Sequence, residues 1–380
     1  MKTLQQHLDP DNGKKRILSL DGGGIKGAFT CGILEEIEKQ IRKQENDNSI
    51  RLCDYFDLIG GTSTGSIIAA GLAVGMTASE IKEKYLELGG DIFGKKRDWW
   101  KPWETWNYLK ARYDHSVLEE KLKEIFGDIL IGGDEIKTGL CIVAKRADTN
   151  STWPVINHPR GMFYNSTIGK NKNIPLWQMV RASTAAPTYF LPQMIDVGNG
   201  IKAAFVDGGV SMANNPALTL LMVATLKGFP FQWKFGVDNM SVLSIGTGYQ
   251  VYQKAPKEIT QNWLAKWAAN IPDMLMQDAS WQNQILLQWM TDSPTAQHID
   301  MEMGDLRNDH LTGNPMFRYL RYNQAFTIND LNSLKISKDV DEELLESLIE
   351  MSNAENRHLL YEIGQKTAGN IIKPEHFHDF

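Results

Sequence analysis

Cysteine is scarce: Cys31, Cys53 and Cys141 are the only three in 380 residues. They are too few and too spread for a disulfide framework or a structural zinc site. No run approaches the ~20 apolar residues of a helical membrane span. The opening MKTLQQHLDPDNGKKR is polar and lacks the apolar stretch of a secretory signal. Basic charge is not in excess either, with 40 Lys+Arg against 46 Asp+Glu and a formal charge of −6. A nucleic-acid surface needs a basic stripe to displace counterions from phosphates, so no nucleic-acid polymer is expected as a partner. Repeats, low-complexity segments and Gly/Ser/Pro-rich linkers are missing as well. What remains is the balance of a folded globular chain, 42% apolar and 23% charged. A cytoplasmic protein is expected, its length sufficient for one large α/β domain or two ordinary ones.

The N-terminal half alternates short apolar runs with helical periodicity. Strands are expected at 16–20, 55–59, 140–144, 203–206 and 241–245. After the first, Phe29, Ile33, Leu34, Ile37 and Ile41 recur three or four apart, as one face of a helix requires. After the second, Ser66-Ile67-Ile68-Ala69-Ala70 opens a helix apolar nearly all round, the pattern of a helix buried in a core. Buried strands separated by helices indicate an α/β fold with a largely parallel sheet covered on both faces. From about Gln261 onward the pattern turns helical and polar. The expected organisation is a catalytic core over 16–250 and a helical C-terminal elaboration over 251–380, packed together as one unit.

Three glycine-flanked turns carry the chemistry. Gly61-Thr62-Ser63-Thr64-Gly65 is a G-x-S-x-G between an expected strand and an expected helix. A serine on such a corner projects its hydroxyl from the sheet, with a helix N-terminus behind it to favour developing negative charge. The other reading is a tight turn with an N-capping serine. Gly22-Gly23-Gly24-Ile25-Lys26-Gly27 exposes unobstructed backbone N–H groups, which can hold an oxyanion or a phosphate. A dinucleotide reading of this loop needs an acidic residue closing a second strand about 20 residues on. Glu45 and Asp47 lie near that distance, but in the polar segment KQENDNS. The third turn is Asp207-Gly208-Gly209, a carboxylate at a strand end beside two glycines; it can serve as a base or simply form a turn. A serine nucleophile requires a base. None of the eight histidines stands in a strand-end turn like those of Ser63 and Asp207, which leaves Asp207 for a Ser–Asp dyad.

These three turns, in this order, resemble the patatin-like phospholipase family, bacterial type. The likeness extends to Arg181-Ala-Ser-Thr-Ala-Ala-Pro187, to Asp207 through Pro216, and to Ser244-Ile-Gly-Thr-Gly248, and more loosely to Tyr319-Leu320-Arg321. It implies a three-layer patatin-like α/β fold and a phospholipase A type lipid acyl hydrolase that needs no metal or cofactor for catalysis. It also implies Ser63 as nucleophile, Asp207 as base and the Gly22, Gly23 and Gly24 backbone as oxyanion hole. Lys26 stands where the family carries Arg or Lys, and Gly61, Gly65, Gly208 and Gly209 support the corners. Some bacterial members are immune effectors switched on by cyclic nucleotides. That extends the expectation to a cyclic dinucleotide activator, nucleotide binding and antiviral defence, although no residue here specifies such a site.

Two aromatic stretches bear on substrate access. Trp99, Trp100, Trp103 and Trp106 adjoin Lys95, Lys96, Arg97 and Lys101, the composition of an interfacial anchor or of a packed lid. Trp263, Leu264, Trp267, Ile271, Met274 and Leu275 follow at helical spacing, with Trp281 and Trp289 beyond; such a stripe reads as core, subunit contact in a homo-oligomer, or lid. The expected partner is membrane phospholipid, with the protein peripheral at the membrane when active. The rival from another class is a glycine-loop phosphate-binding protein or kinase, in which Ser63 has no role.

Overall fold

A computed structural model describes residues 2–94, 113–252, 256–260, 263–378 and 380. Its strands in chain order are β1 (Lys15–Leu20), β2 (Leu58–Thr62), β3 (Gly139–Arg146), β4 (Ser151–Ile156), β5 (Gln193–Asp196), β6 (Lys202–Asp207), β7 (Met240–Ile245), β8 (Tyr249–Gln250), β9 (Thr291–Asp292), β10 (Phe317–Tyr322) and β11 (Ala325–Phe326). One nine-stranded sheet runs β5-β6-β3-β2-β1-β7-β10-β9, with β4 also on β3, while β8 and β11 pair separately. The run from β3 to β9 is parallel; β4, β5 and β6 form an antiparallel end.

Side chains on neighbouring strand positions point to opposite faces, and the two cores obey that period. Leu18 and Leu20 of β1, Leu243 and Ile245 of β7, and Leu320 and Tyr322 of β10 join one core, with the helices Gly27–Gln44, Thr64–Ala73 and Arg357–Ile371. Ile17, Val242 and Tyr319 face the other, which the helix Ala217–Thr225 covers. This is a three-layer α/β fold, central sheet mostly parallel, as the sequence pattern indicates.

Two expectations change. The second strand begins at Leu58 rather than Tyr55, because Leu52–Tyr55 forms a helical turn whose Leu52, Cys53 and Tyr55 are buried. The strand therefore runs through Gly60 and Gly61. The segment 251–380 is not purely helical: β10 lies in the sheet beside β7, with β9 beyond it. An apolar-polar run such as Phe317-Arg-Tyr-Leu-Arg-Tyr322 hides its strand character because both arginines have buried or half-buried positions. The Trp99–Trp106 cluster lies outside the described residues.

The sheet's most consequential feature is how β3 shares its edges. β4 occupies one edge of β3 from Cys141 to Arg146. On the other edge β2 runs parallel up to the pair Thr62–Val143, and β6 comes from the opposite direction, ending at the pair Asp207–Ala144. The C-terminal ends of β2 and β6 thus meet head-on beside two consecutive residues of β3. Whatever follows Thr62 must meet Asp207.

A buried ion pair joins the C-terminal segment to the other side of this junction. Arg321 of β10 donates to both carboxylate oxygens of Asp21, at 2.9 and 2.6 Å, and to Ser244 Oγ at 2.7 Å. Burial opposes the Arg321 charge, but Asp21 outweighs it and holds the guanidinium above its ordinary value. Removing one member of such a pair strands a buried charge, at a cost of about 3–5 kcal/mol. Arg321→Ala should lose that much stability in urea unfolding, and the double variant Asp21→Ala/Arg321→Met should lose clearly less. Equal losses, or none, would contradict a buried pair.

Candidate active site

Ser63 stands immediately after β2 and caps the helix Thr64–Ala73 with φ 53° and ψ −127°, a left-handed conformation unusual for a side-chain-bearing residue. Such strain costs on the order of 1–3 kcal/mol and persists only where the surroundings enforce it. They do so here. The Ser63 N–H donates to Ser183 Oγ at 2.9 Å, and Ser183 in turn donates to the Val143 carbonyl at 2.6 Å. Ser66 Oγ donates to the Ser63 carbonyl at 2.6 Å. The corner closes only without side chains at its two ends, since a Cβ on Gly61 would sit 2.2 Å from the Gly65 carbonyl oxygen, and one on Gly65 2.2 Å from that of Leu20.

Ser63 Oγ donates to Asp207 Oδ2 at 2.5 Å, and the Gly209 N–H donates to Asp207 Oδ1 at 2.7 Å. Asp207 is 3% exposed and Ser63 8%. Burial pushes the Asp207 carboxyl up to about 6, against the two hydrogen bonds that favour its charged form. Gly208 follows on, packed against the Val143 carbonyl. The end of β6 is pinned by the Asp207 N–H, which donates to Ala185 O at 2.9 Å.

The glycine loop lies across from this pair. The Gly22 N–H is engaged with Asn214 O at 3.0 Å. Gly24, at φ 58°, is clamped between Tyr85, whose hydroxyl donates to its carbonyl at 2.5 Å, and Met351, whose carbonyl takes the Ile25 N–H at 2.8 Å. Thr247 Oγ1 donates to Gly22 O at 3.1 Å. Asn283 holds the segment after Asp207 by donating to Met212 O and Asn215 O, at 2.8 and 2.9 Å. Lys26 is half-buried beyond the loop and does not line the cleft.

Gly23, Gly24, Ser63 and Asp207 open into one cleft of about 1240 Å³. Its deep end is apolar and buried, formed by Ile67, Leu88, Ile92, Leu118 and Phe190. Its mouth is apolar and exposed, formed by Val210, Met212, Ile271 and Leu275. The helix Leu264–Met290 supplies Ile271 and Leu275, so this stretch of the aromatic stripe borders the cleft rather than the core, while Asn283 and Leu287 further along are buried. Trp263 is 72% exposed. Among the described residues no histidine lines the cleft and no His/Cys/Asp/Glu group could hold a metal.

The geometry therefore brings together Ser63, Asp207, Gly23, Gly24, Gly61, Gly65, Gly208 and Gly209. Sequence reasoning missed Ser183, Asn214, Tyr85, Asn283 and the role of Arg321. Ser183 lies in the singled-out Arg181–Pro187 stretch, so a signal existed for it. Tyr85 and Asn283 sit in ordinary helical patterns and gave none.

A three-layer α/β fold with a buried serine–carboxylate pair at a strand-end corner is the class this chain presents. A sequence model described as patatin-like phospholipase matches residues 18–221, more than half of the chain, and the chain belongs to that family. Patatin-like protein 4 of Arabidopsis thaliana is 29% identical, over 93% of this chain and 88% of that one. Patatin-1-Kuras 2 of Solanum tuberosum is 28% identical, over 94% and 92%. Human GIVD cytosolic phospholipase A2 is a distant structural likeness, with TM-score 0.44 and 10% identity over 99% of this chain and 62% of that one. Family membership supports lipid acyl hydrolase activity. No described helix is long and apolar enough to cross a membrane.

The raised Asp207 value has a consequence for stability. A carboxyl whose folded pKa exceeds its ordinary 3.8 favours the folded state fully below that value, and the benefit is lost as pH rises through about 6. At pH 8 the buried charge costs on the order of 2–3 kcal/mol. Asp207→Asn should accordingly unfold at higher urea than the wild type at pH 8, the gap closing toward pH 4. A variant less stable at every pH would contradict this.

Proposed function

We propose that this protein hydrolyses fatty acyl esters of membrane phospholipids, a phospholipase A type reaction, with a Ser63–Asp207 dyad. The observation that carries the reading is the 2.5 Å hydrogen bond from Ser63 Oγ to a buried carboxylate at the floor of an apolar cleft. Near neutral pH Asp207, at about 6, is mostly ionised yet a far better base than a solvated carboxylate. Asp207 Oδ2 takes the Ser63 proton as Oγ attacks the acyl carbonyl. The tetrahedral oxyanion is received by the N–H groups of Gly23 and Gly24, and the Gly22 N–H is already committed to Asn214. Each such donor is worth about 3–4 kcal/mol in the transition state. Asp207 then protonates the leaving lipid alcohol, giving an acyl-serine. Water loses a proton to Asp207 as it attacks that ester, and the proton returns to Ser63 as the fatty acid departs. Every proton is handled by the dyad, so neither metal nor cofactor enters.

The buried end of the cleft suits an acyl chain, and the exposed apolar rim of Val210, Met212, Ile271 and Leu275 suits peripheral contact with a lipid surface. Activation by a cyclic dinucleotide, in antiviral defence, rests on the family resemblance alone.

The test is fatty-acid release from mixed phospholipid vesicles by wild type, Ser63→Ala and Asp207→Ala, with and without a panel of cyclic dinucleotides. Both variants should lose at least about 10³-fold in rate while remaining folded by circular dichroism. Dependence of the wild type on one nucleotide would establish the switch. Release retained in Ser63→Ala would overturn the mechanism, and ATP binding by a hydrolytically silent wild type would favour the phosphate-loop alternative.

A further inference from the structure

The cleft is apolar at both ends, yet one cation lines it. Of its lining residues among those described, Lys145 alone is basic; the acids are Asp207, engaged by Ser63, and Asp278 at the mouth on the helix Leu264–Met290. Lys145 is the residue of β3 directly after Ala144, which pairs with Asp207, and it pairs with Thr152 of β4 and Val206 of β6. It is half-buried. Its ammonium makes one hydrogen bond, to the Asn150 carbonyl at 2.9 Å, and is paired with no carboxylate among the described residues. An ammonium has three donors, so two remain for a ligand.

A cation at the edge of an otherwise apolar cleft, without a counter-charge among the described residues, is stabilised by any anion that enters beside it. A fatty acyl ester brings none at its reacting end. A phospholipid does, because its phosphodiester lies a few bonds from the ester. Resting on the hydrolase reading above, we infer that Lys145 is a specificity-determining residue that binds the head-group phosphate and so selects phospholipid over neutral glyceride. Thr152, lining the cleft beside it in register, adds a hydroxyl donor to the same subsite. The acyl chain then lies toward Ile67 and Leu88 while the head group lies toward the β3–β4 edge, with the scissile ester between them at Ser63.

The test is binding, so that it does not depend on turnover. Short-chain diether phosphatidylglycerol and the matching diether glycerol, neither of which can be hydrolysed, are titrated into wild type, Lys145→Gln and Lys145→Arg. Charge-assisted hydrogen bonds to a phosphate are worth about a tenfold change or more in Kd. Lys145→Gln should weaken the phosphatidyl ligand at least about tenfold relative to the neutral one, and Lys145→Arg should keep most of the preference. Equal weakening of both ligands would mark Lys145 as structural, and no weakening would remove it from the site. Inorganic phosphate is titrated alone; if it binds as tightly as the lipid, in a Lys145-dependent way, the subsite belongs to free phosphate and the head-group assignment fails. Hydrolysis of the matching diester lipids by the wild type is measured alongside. Failure there with Lys145-dependent binding intact would sink the hydrolase reading and leave the phosphate subsite standing.

Discussion

The strand β3 has two edges, and three strands compete for them. Because β4 takes one edge from Cys141 to Arg146, β2 and β6 divide the other, and they approach it from opposite directions. Backbone hydrogen bonding thereby sets the distance between two residues 144 positions apart in sequence. Ser63 and Asp207 need no flexible side chain to find each other, since Asp207 is the last residue of β6 and Ser63 the first after β2. The left-handed conformation of Ser63 follows, because the chain must leave the sheet at once to avoid β6 and turn into a helix.

Around this junction a second set of contacts fixes the glycine loop. Asp21 is held by Arg321, Gly22 by Asn214 and Thr247, Gly24 by Tyr85, and Ile25 by the Met351 carbonyl. These partners come from both halves of the chain. The C-terminal segment is therefore part of the site's support, through Arg321 on β10, the Met351 carbonyl at the loop and Asn283 beside the residues after Asp207. The burial that suits Asp207 to the proposed role of base also makes its charge costly, so the same carboxylate weakens the fold at neutral pH.

Much of this was legible in the sequence. The three glycine-flanked turns stand at strand ends because a backbone corner beside a close-packed neighbour admits only glycine, and that requirement leaves a mark in the sequence. The β-α alternation likewise exposed the parallel sheet. What was hidden is what depends on pairing. Nothing local to Phe317–Tyr322 announces a strand of the main sheet, and the aromatic residues Tyr55 and Phe56 imitate strand residues while ending a helical turn. Gly22 looks as open as Gly23 until Asn214, nearly two hundred residues away, is seen to occupy its N–H. Long-range backbone partners leave no periodicity behind.

The most direct test of the junction is covalent labelling by a fluorophosphonate, in which Ser63 Oγ displaces fluoride from phosphorus and Asp207 accepts the proton. The adduct is mapped by mass spectrometry and the labelling rate followed from pH 8 to pH 5. A single adduct at Ser63, formed at a rate that falls about tenfold per pH unit below about 6, is what a buried Ser–Asp pair predicts. Labelling at another residue, or a rate at Ser63 indifferent to pH across that range, would contradict it.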